Sequence, residues 1–329
     1  MIKIKNIGII TSGGDSPGMN ATIKTIVNFS KKKNINCYGI KNGYNGLINN
    51  KIIKLSNKDV NNIIGLGGTI LGTSRSEEFK TKEGRKKAYK NIIKNNLNGL
   101  IIIGGNGSFT GAKIFNEEYK IPIIGIPGTI DNDIYGTDYT IGYDTSLNTI
   151  INLIEKIKDT ANSHNKIFII EVMGRGMAFL ALNSGISIGA LDILISNKNK
   201  YNLKNIFSKL EKWNKYKNSN IIIIAETEKE YKNIGESANK IFNIIKNKFK
   251  KYEFRLNILG HVQRGGSPTC LDRILAIKLG LESIINFIKF KYNFVLGIKN
   301  NKIKYIPFKK AILNKKIDNN IKILYENLF

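Results

Sequence analysis

The amino-acid sequence predicts an α/β protein built on mainly parallel sheets. Two observations carry that expectation. Short, uniformly apolar runs recur along the chain, each ending in a turn rich in glycine or polar residues. Amphipathic stretches of helical length separate them. Apolar runs without alternation suit strands covered on both faces, and helices placed between strands act as crossover connections in a parallel sheet.

In chain order, Ile7–Ile10 reads as the first strand, ending at Thr-Ser-Gly-Gly and followed by a helix expected over Ser16–Lys32. A helix is expected over Thr81–Asn95. Strands follow at Leu100–Ile103, before Gly-Gly-Asn-Gly-Ser, and at Ile123–Ile126, before Pro-Gly-Thr. Another helix, over Ser146–Asn162, leads to the strand Ile167–Val172, which ends at Met-Gly-Arg. Ile221–Ala225 precedes Glu-Thr-Glu, a helix is expected over Ile234–Lys251, and Leu256–Leu259 precedes Gly-His. The polar motifs therefore sit just past strand C-termini, the edge at which open α/β sheets bind ligands. A tight turn explains any one glycine cluster. It does not explain why so many of these turns also carry Asp, Arg, Thr or His.

The 329 residues are long for one domain and comfortable for two. The formal charge of +27 would ordinarily suggest a nucleic acid or an anionic membrane. The basic residues are nearly all lysines spread over the whole chain, with only six arginines, so a solvated surface accounts for them better than a basic patch. Cys37 and Cys270 have no metal-ligand spacing and suggest a reducing compartment. The N-terminal apolar stretch reads as a strand rather than a signal peptide, and no apolar run approaches the ~18 residues that span a bilayer. A soluble, cytoplasmic protein with no nucleic-acid or membrane partner is expected.

Four segments carry chemistry. Thr11-Ser12-Gly13-Gly14-Asp15-Ser16-Pro17-Gly18 joins a strand to a helix, where backbone N–H groups and the helix N-terminus favour phosphate. A plain turn and cap accounts for it equally well, and it is neither a Walker loop nor a dinucleotide fingerprint. Gly104-Gly105-Asn106-Gly107-Ser108 has the small residues that let a nucleotide lie against backbone. In Pro127-Gly128-Thr129-Ile130-Asp131-Asn132-Asp133, two carboxylates spaced by two suit a proton acceptor and a metal-side group. Finally, four of the six arginines (Arg75, Arg175, Arg255 and Arg264) stand beside glycine-rich turns or strand ends, with His261 close to the last of them. Arginine binds phosphate bidentately where lysine offers a point charge. Any one of these arginines could be a surface ion pair, and His261 alone would more often be structural.

Taken together, Pro-Gly-Thr-Ile-Asp-Asn-Asp, Glu-Val-Met-Gly-Arg and Gly-His-Val-Gln-Arg-Gly-Gly-Ser-Pro resemble the bacterial-type, ATP-dependent 6-phosphofructokinases, from the first strand to near the C-terminus. The resemblance implies two three-layer α/β domains with the active site in the cleft between them, and a homotetramer. Residues 1–142 with 259–308 would form a larger ATP-binding domain, and 143–258 with 309–329 a smaller domain for fructose 6-phosphate. Asp131 would be the base that takes the proton from the sugar O1 hydroxyl. Gly13 would donate its N–H to the ATP phosphates, and Arg75 and Arg175 would steady the transferring phosphoryl group. Thr129 and Asp133 would serve the phosphoryl and Mg2+ side, with Asn106 beside the metal. Tyr44, Gly107 and Ser108 would line the nucleotide site, while Met173, Gly174 and Glu228 hold the sugar. His261 and Arg264 would grip the 6-phosphate, joined by Lys166 and Arg255 of a neighbouring subunit.

The donor can be argued from the same resemblance. Diphosphate-dependent relatives fill the room ATP needs with Asp and Lys side chains, where this chain has Gly107 and Gly128. Three departures stand out. Asn106 replaces the family's Asp, which should weaken Mg2+ binding. Lys166 replaces an Arg, turning a bidentate phosphate contact into a point contact. Lys24, Asn28, Asn57, Lys158, Leu191, Lys217 and Ser219 stand where the family builds an effector site, and they imply weak regulation. The alternatives are a diphosphate-dependent enzyme, a decayed kinase and a basic nucleic-acid-binding protein.

Overall fold

The structure, a computed structural model, describes residues 4–174, 177–197, 200–216, 219–227 and 236–328. The chain divides into two compact units, Met1–Thr145 with Arg264–Lys315, and Ser146–Gln263 with Lys316–Phe329.

In the first unit the chain runs β1 (Asn6–Ser12), α1 (Met19–Lys32), β2 (Asn36–Ile40), α2 (Gly43–Ile48), β3 (Ile52–Leu55), α3 (Lys82–Lys94), β4 (Gly99–Gly104), α4 (Asn106–Tyr119), β5 (Ile123–Pro127) and the start of α5 (Tyr143–His164). The second unit follows with β6 (Ile167–Val172), α6 (Phe179–Ser187), β7 (Asp192–Leu194), β8 (Ser196–Asn197), β9 (Lys200–Tyr201), α7 (Lys204–Tyr216), β10 (Ile221–Ala225), α8 (Glu236–Lys248) and β11 (Phe254–Ile258). The chain then returns to the first unit for α9 (Cys270–Ile288), β12 (Phe294–Lys299), β13 (Lys302–Pro307) and α10 (Phe308–Ala311), and ends in the second with α11 (Asn319–Leu328).

The first unit is a seven-stranded sheet in the order β13-β12-β5-β4-β1-β2-β3. Its five inner strands are parallel, and the two edge strands, β3 and β13, pair antiparallel with their neighbours. Side chains alternate between the faces with a period of two. Ile101 and Ile103 join one apolar cluster, with Ile23 and Ile26 of α1 and Leu275 and Leu279 of α9. Leu100 and Ile102 join another, with Leu47, Ala88, Ile92, Phe109 and Phe115 of α2, α3 and α4. Because both faces are covered, β1, β4 and β5 read in the sequence as unbroken apolar runs.

The second unit has a four-stranded, wholly parallel sheet in the order β11-β6-β10-β7. Ile167, Ile169, Ile222 and Ile224 pack on one face with Ile206, Leu210 and Trp213 of α7 and Ala238, Ile241 and Ile245 of α8. The C-terminal helix α11 packs on α6, and the Tyr325 hydroxyl donates to the Ile193 carbonyl at 3.2 Å.

Element boundaries differ from the sequence expectation for local reasons. Helix α1 starts at Met19 rather than Ser16, because Gly18 takes a left-handed φ of +104° that ends the loop. Thr81 is not the first residue of α3 but its cap, accepting the Gly84 N–H at 3.0 Å. Helix α5 starts earlier, at Tyr143, since the buried Asp272 carboxylate accepts the N–H groups of Gly142 at 2.9 Å and Thr145 at 2.8 Å. No helix among the described residues is long and apolar enough to cross a membrane.

Candidate active site

In the first unit the pairing register decides which turns meet. Ser12 lies opposite Gly104, and Gly104 opposite Pro127, so β1, β4 and β5 end side by side. The three turns that follow carry Gly13, Asn106 and Asp131. Ser108 ties the first two together: its hydroxyl donates to the Ser12 carbonyl at 2.9 Å. A Cβ on Gly104 would lie 2.5 Å from that carbonyl and 2.6 Å from the Ser108 hydroxyl, so only glycine fits. The Thr73 hydroxyl donates to the Gly13 carbonyl at 2.7 Å, which fastens the segment bearing the exposed Arg75 beside the same turn. Asn45 of α2 donates to the Arg75 carbonyl at 2.9 Å.

Asp131 is only 2% exposed. Its backbone N–H donates to the Thr129 hydroxyl at 3.3 Å, and the Thr129 carbonyl accepts the Thr140 hydroxyl at 2.6 Å. Asn132 follows with a left-handed φ of +51°, its amide donating to the Asp138 carbonyl at 3.1 Å. These contacts set the backbone course on either side of Asp131. Asp133, also buried, accepts the side-chain amide of Asn106 at 2.9 Å. Arg264 is buried in the first unit, where its guanidinium donates to the Asp15 carbonyl at 3.3 Å and a Cβ on Gly14 would overlap it.

Tyr44 lies against the first turn of α4. Its ring is buried, stacks on Phe79 with centroids 3.9 Å apart, and its hydroxyl donates to the Ser108 carbonyl at 2.6 Å. Gly107 is exposed, with nothing within 4 Å of where a Cβ would be. Gly128 is enclosed: a Cβ there would lie 2.9 Å from Ile103 and 3.2 Å from Met19.

In the second unit, β6, β10 and β11 are neighbours. At their C-terminal ends the Met173 N–H donates to the Gln263 side-chain oxygen at 3.0 Å, and the Gly174 N–H to the Glu226 carboxylate at 3.3 Å. Gly174 has a φ of +140°, open to glycine and costly for other residues. Gln263 is fully buried and also donates to the Gly260 carbonyl at 3.0 Å, shaping the short turn Gly260–Arg264 that exposes His261. Glu226 and Gln263, which hold the Gly174 and Met173 N–H groups, are not among the residues that the sequence singled out. The signal for Glu226 was its place directly after the apolar run Ile221–Ala225. Glu228, expected to hold the sugar, lies outside the described residues, as does Arg175.

Lys166 and Arg255 come together at the opposite edge of this sheet, where both ammonium and guanidinium pair with Glu253, the lysine at 3.2 Å. The Lys166 hydrogen bond holds the Glu253 carboxyl below its ordinary range. The whole of β6, about 20 Å at ~3.3 Å per residue, separates this pair from Met173 and Gly174.

The phosphofructokinase family model matches residues 6–286. The chain belongs to this family. It is 47% identical over 319 residues to the ATP-dependent 6-phosphofructokinase 2 of Bacteroides thetaiotaomicron, covering 95% of this chain and 94% of that protein. It is 44% identical over 324 residues to the ATP-dependent 6-phosphofructokinase of Thermotoga petrophila, covering 98% of each. Among solved structures, the Pichia pastoris phosphofructokinase in the T-state matches with a TM-score of 0.86 and 31% identity. All of this chain corresponds to 39% of that longer one.

The residues offer oxygen ligands of the kind a divalent cation takes. Among the described residues no three His, Cys, Asp or Glu side chains gather as a metal cluster. Asp131 and Asp133 instead supply two carboxylates, and the Asn106 side-chain oxygen is buried without a hydrogen bond. One or two carboxylates plus substrate phosphates is the usual Mg2+ arrangement at phosphoryl-transfer sites.

Proposed function

We propose that this protein is an ATP-dependent 6-phosphofructokinase. The observation that carries the reading is the buried Asp131, held at the end of β5 beside the glycine-lined ends of β1 and β4. Asp131 accepts the proton of the sugar O1 hydroxyl as O1 attacks the γ-phosphorus. The new O1–P bond forms as the bond from that phosphorus to the bridging oxygen breaks, and ADP leaves. Positioning and fixed electrostatics do most of the work in such transfers. The Gly13 N–H and the N-terminus of α4 at Asn106, Gly107 and Ser108 favour the phosphates, and Arg75 and Arg175 neutralise the transferring group. Asp133, Thr129 and the Asn106 oxygen would attend Mg2+, which when bound neutralises phosphate charge.

Met173, Gly174 and Glu228, with Glu226 beside Gly174, hold the sugar, while His261 and Arg264 serve its 6-phosphate. Lys166 and Arg255, a strand length from Met173, act on the sugar phosphate of a neighbouring subunit in a homotetramer. Two unpaired cysteines support a cytoplasmic setting. ATP is favoured over diphosphate because Gly107 leaves open space over the first turn of α4. The test is steady-state phosphorylation of fructose 6-phosphate with ATP and with diphosphate over a Mg2+ titration, for the wild type and Asp131→Asn. Turnover with ATP alone, lost by about 10²–10⁴-fold in the variant, is expected. Turnover with diphosphate alone, or with neither donor, overturns the reading.

A further inference from the structure

The segment that carries Arg75 is rich in glycine, with Gly65, Gly67, Gly68 and Gly72 ahead of the arginine. Such a chain keeps one course only where other groups fasten it. Asn20 of α1, 1% exposed, fastens its start. The Asn20 side-chain amide donates to the Leu66 and Gly67 carbonyls at 3.2 and 3.0 Å, and its oxygen accepts the Ile70 N–H at 2.8 Å. The Thr11 hydroxyl of β1 donates to the Gly72 carbonyl at 2.8 Å. From there the segment runs along α2. The Asn42 N–H donates to the Leu71 carbonyl at 2.8 Å, and the Ser74 hydroxyl to the Asn42 carbonyl at 2.7 Å. Asn45, half-buried within α2, makes the last of these ties: its side-chain amide donates to the Ser74 hydroxyl at 3.0 Å and to the Arg75 carbonyl at 2.9 Å. Arg75 itself is exposed, so the course of its backbone, more than packing, sets where its guanidinium reaches. Two bonds fix that course on either side of Ser74, from Thr73 to the Gly13 carbonyl and from Asn45 to the Arg75 carbonyl.

We propose that Asn45 is a positioning residue for phosphoryl transfer, acting by holding the Arg75 backbone beside the Gly13 turn without touching the substrate. The inference rests on the phosphofructokinase reading for the task of Arg75, whereas the hold on the segment is a property of the free protein. A charge that acts only on the transferring phosphoryl group lowers kcat when misplaced and leaves KM alone. A displacement of about 1 Å is enough to cost about 10²-fold.

The experiment uses the purified full chain as wild type, Asn45→Ala, Asn45→Asp, Asn49→Ala, Arg75→Ala and the double variant Asn45→Ala with Arg75→Ala. Asn45→Asp keeps the side-chain shape and removes the donor. Asn49→Ala is the control, since the Asn49 amide donates to the Asn45 carbonyl at 2.8 Å, a bond local to the end of α2. Hydrogen exchange of the peptide covering residues 72–76 is followed by mass spectrometry without ligand. Steady-state kinetics with ATP and fructose 6-phosphate give kcat and both KM values. Exchange in that peptide should be about tenfold faster in both Asn45 variants and unchanged in Asn49→Ala. The kcat should fall about tenfold in both Asn45 variants with each KM within about twofold of wild type, and should hold in Asn49→Ala. Adding Asn45→Ala to Arg75→Ala should cost no further kcat, because the group it positions is gone. Unchanged exchange in the Asn45 variants, an effect confined to KM, or the same loss of kcat in the Arg75→Ala background overturns the proposal. Should Asn45→Ala not fold, Asn45→Asp decides by the same readouts. A wild type that phosphorylates nothing refutes the enzyme reading alone, and the exchange measurement then decides whether Asn45 holds the segment.

Discussion

The Tyr44 hydroxyl reaches the Ser108 carbonyl at 2.6 Å from beneath the first turn of α4, and Ser108 in turn bonds back to Ser12 at the end of β1. A buried ring thus sets the height of the turn proposed to face the nucleotide. Burial pushes the phenol pKa up, so it stays a donor throughout the working pH range. In Tyr44→Phe the ring remains and the hydrogen bond is lost, leaving a buried carbonyl short of a partner. Urea unfolding should show a loss of about 1–2 kcal/mol. KM for ATP should rise several-fold while KM for fructose 6-phosphate stays put.

The ring is itself braced. Phe79, stacked on Tyr44, sits on a short turn whose Phe79 and Lys80 carbonyls accept from Arg85, and Arg85 makes a two-pronged ion pair with Glu118, both bonds at 2.7 Å. The Arg85 hydrogen bond lowers the Glu118 carboxyl below its ordinary value. A depressed folded pKa contributes stability above the unfolded value and loses it as pH falls through the folded one. Glu118→Gln should therefore cost about 1–2 kcal/mol at neutral pH. Denaturation series should show the gap from wild type closing as pH drops below about 4.

Two glycines should separate folding from donor binding. Gly107→Ala places a methyl in open space within a helix, so thermal unfolding should show stability unchanged or raised by about 0.5–1 kcal/mol. KM for ATP should nevertheless rise. Gly128→Ala drives a methyl against Ile103 and Met19, and should cost about 1–3 kcal/mol in the same measurement.

The two thiols should report burial directly. Cys37 lies in β2, 2% exposed, where desolvation pushes its pKa up to about 11 against a small opposing hydrogen bond from Ser30. Cys270 is exposed. Since the thiolate is the reactive form, a thiol reagent at pH 8 should label Cys270 quickly and Cys37 only on unfolding. Two equally fast thiols in the native protein would contradict the structure.

Regulation should be weak. The Lys158 ammonium already donates to the Ile188 carbonyl at 3.0 Å, and Lys24 donates to the Asn61 carbonyl. Leu191 is buried and can ligate no metal, and Lys217 lies outside the described residues. Titrating ADP or phosphoenolpyruvate should shift the fructose 6-phosphate saturation curve less than about twofold, well under the 5–150-fold of ordinary allosteric coupling.

By itself the sequence determined the local grammar of this protein. Apolar runs, glycine-rich turns and the Pro-Gly-Thr-Ile-Asp-Asn-Asp segment each depend on residues within one strand, turn or helix, so their periodicity and spacing can be read directly. It also placed Asp131 and Gly13 at strand ends, because the change from apolar run to polar turn is local. Only the tertiary structure decided which turns meet. That Asn106 bonds Asp133 follows from β4 pairing with β5, and that Lys166 and Arg255 share Glu253 follows from β6 pairing with β11. That Glu226 meets Gly174 depends on where β10 ends beside β6. That the Tyr44 ring is buried depends on Phe79 and Ser108, 35 and 64 positions away. Strand order and register are settled by packing between distant segments, and no local pattern encodes them.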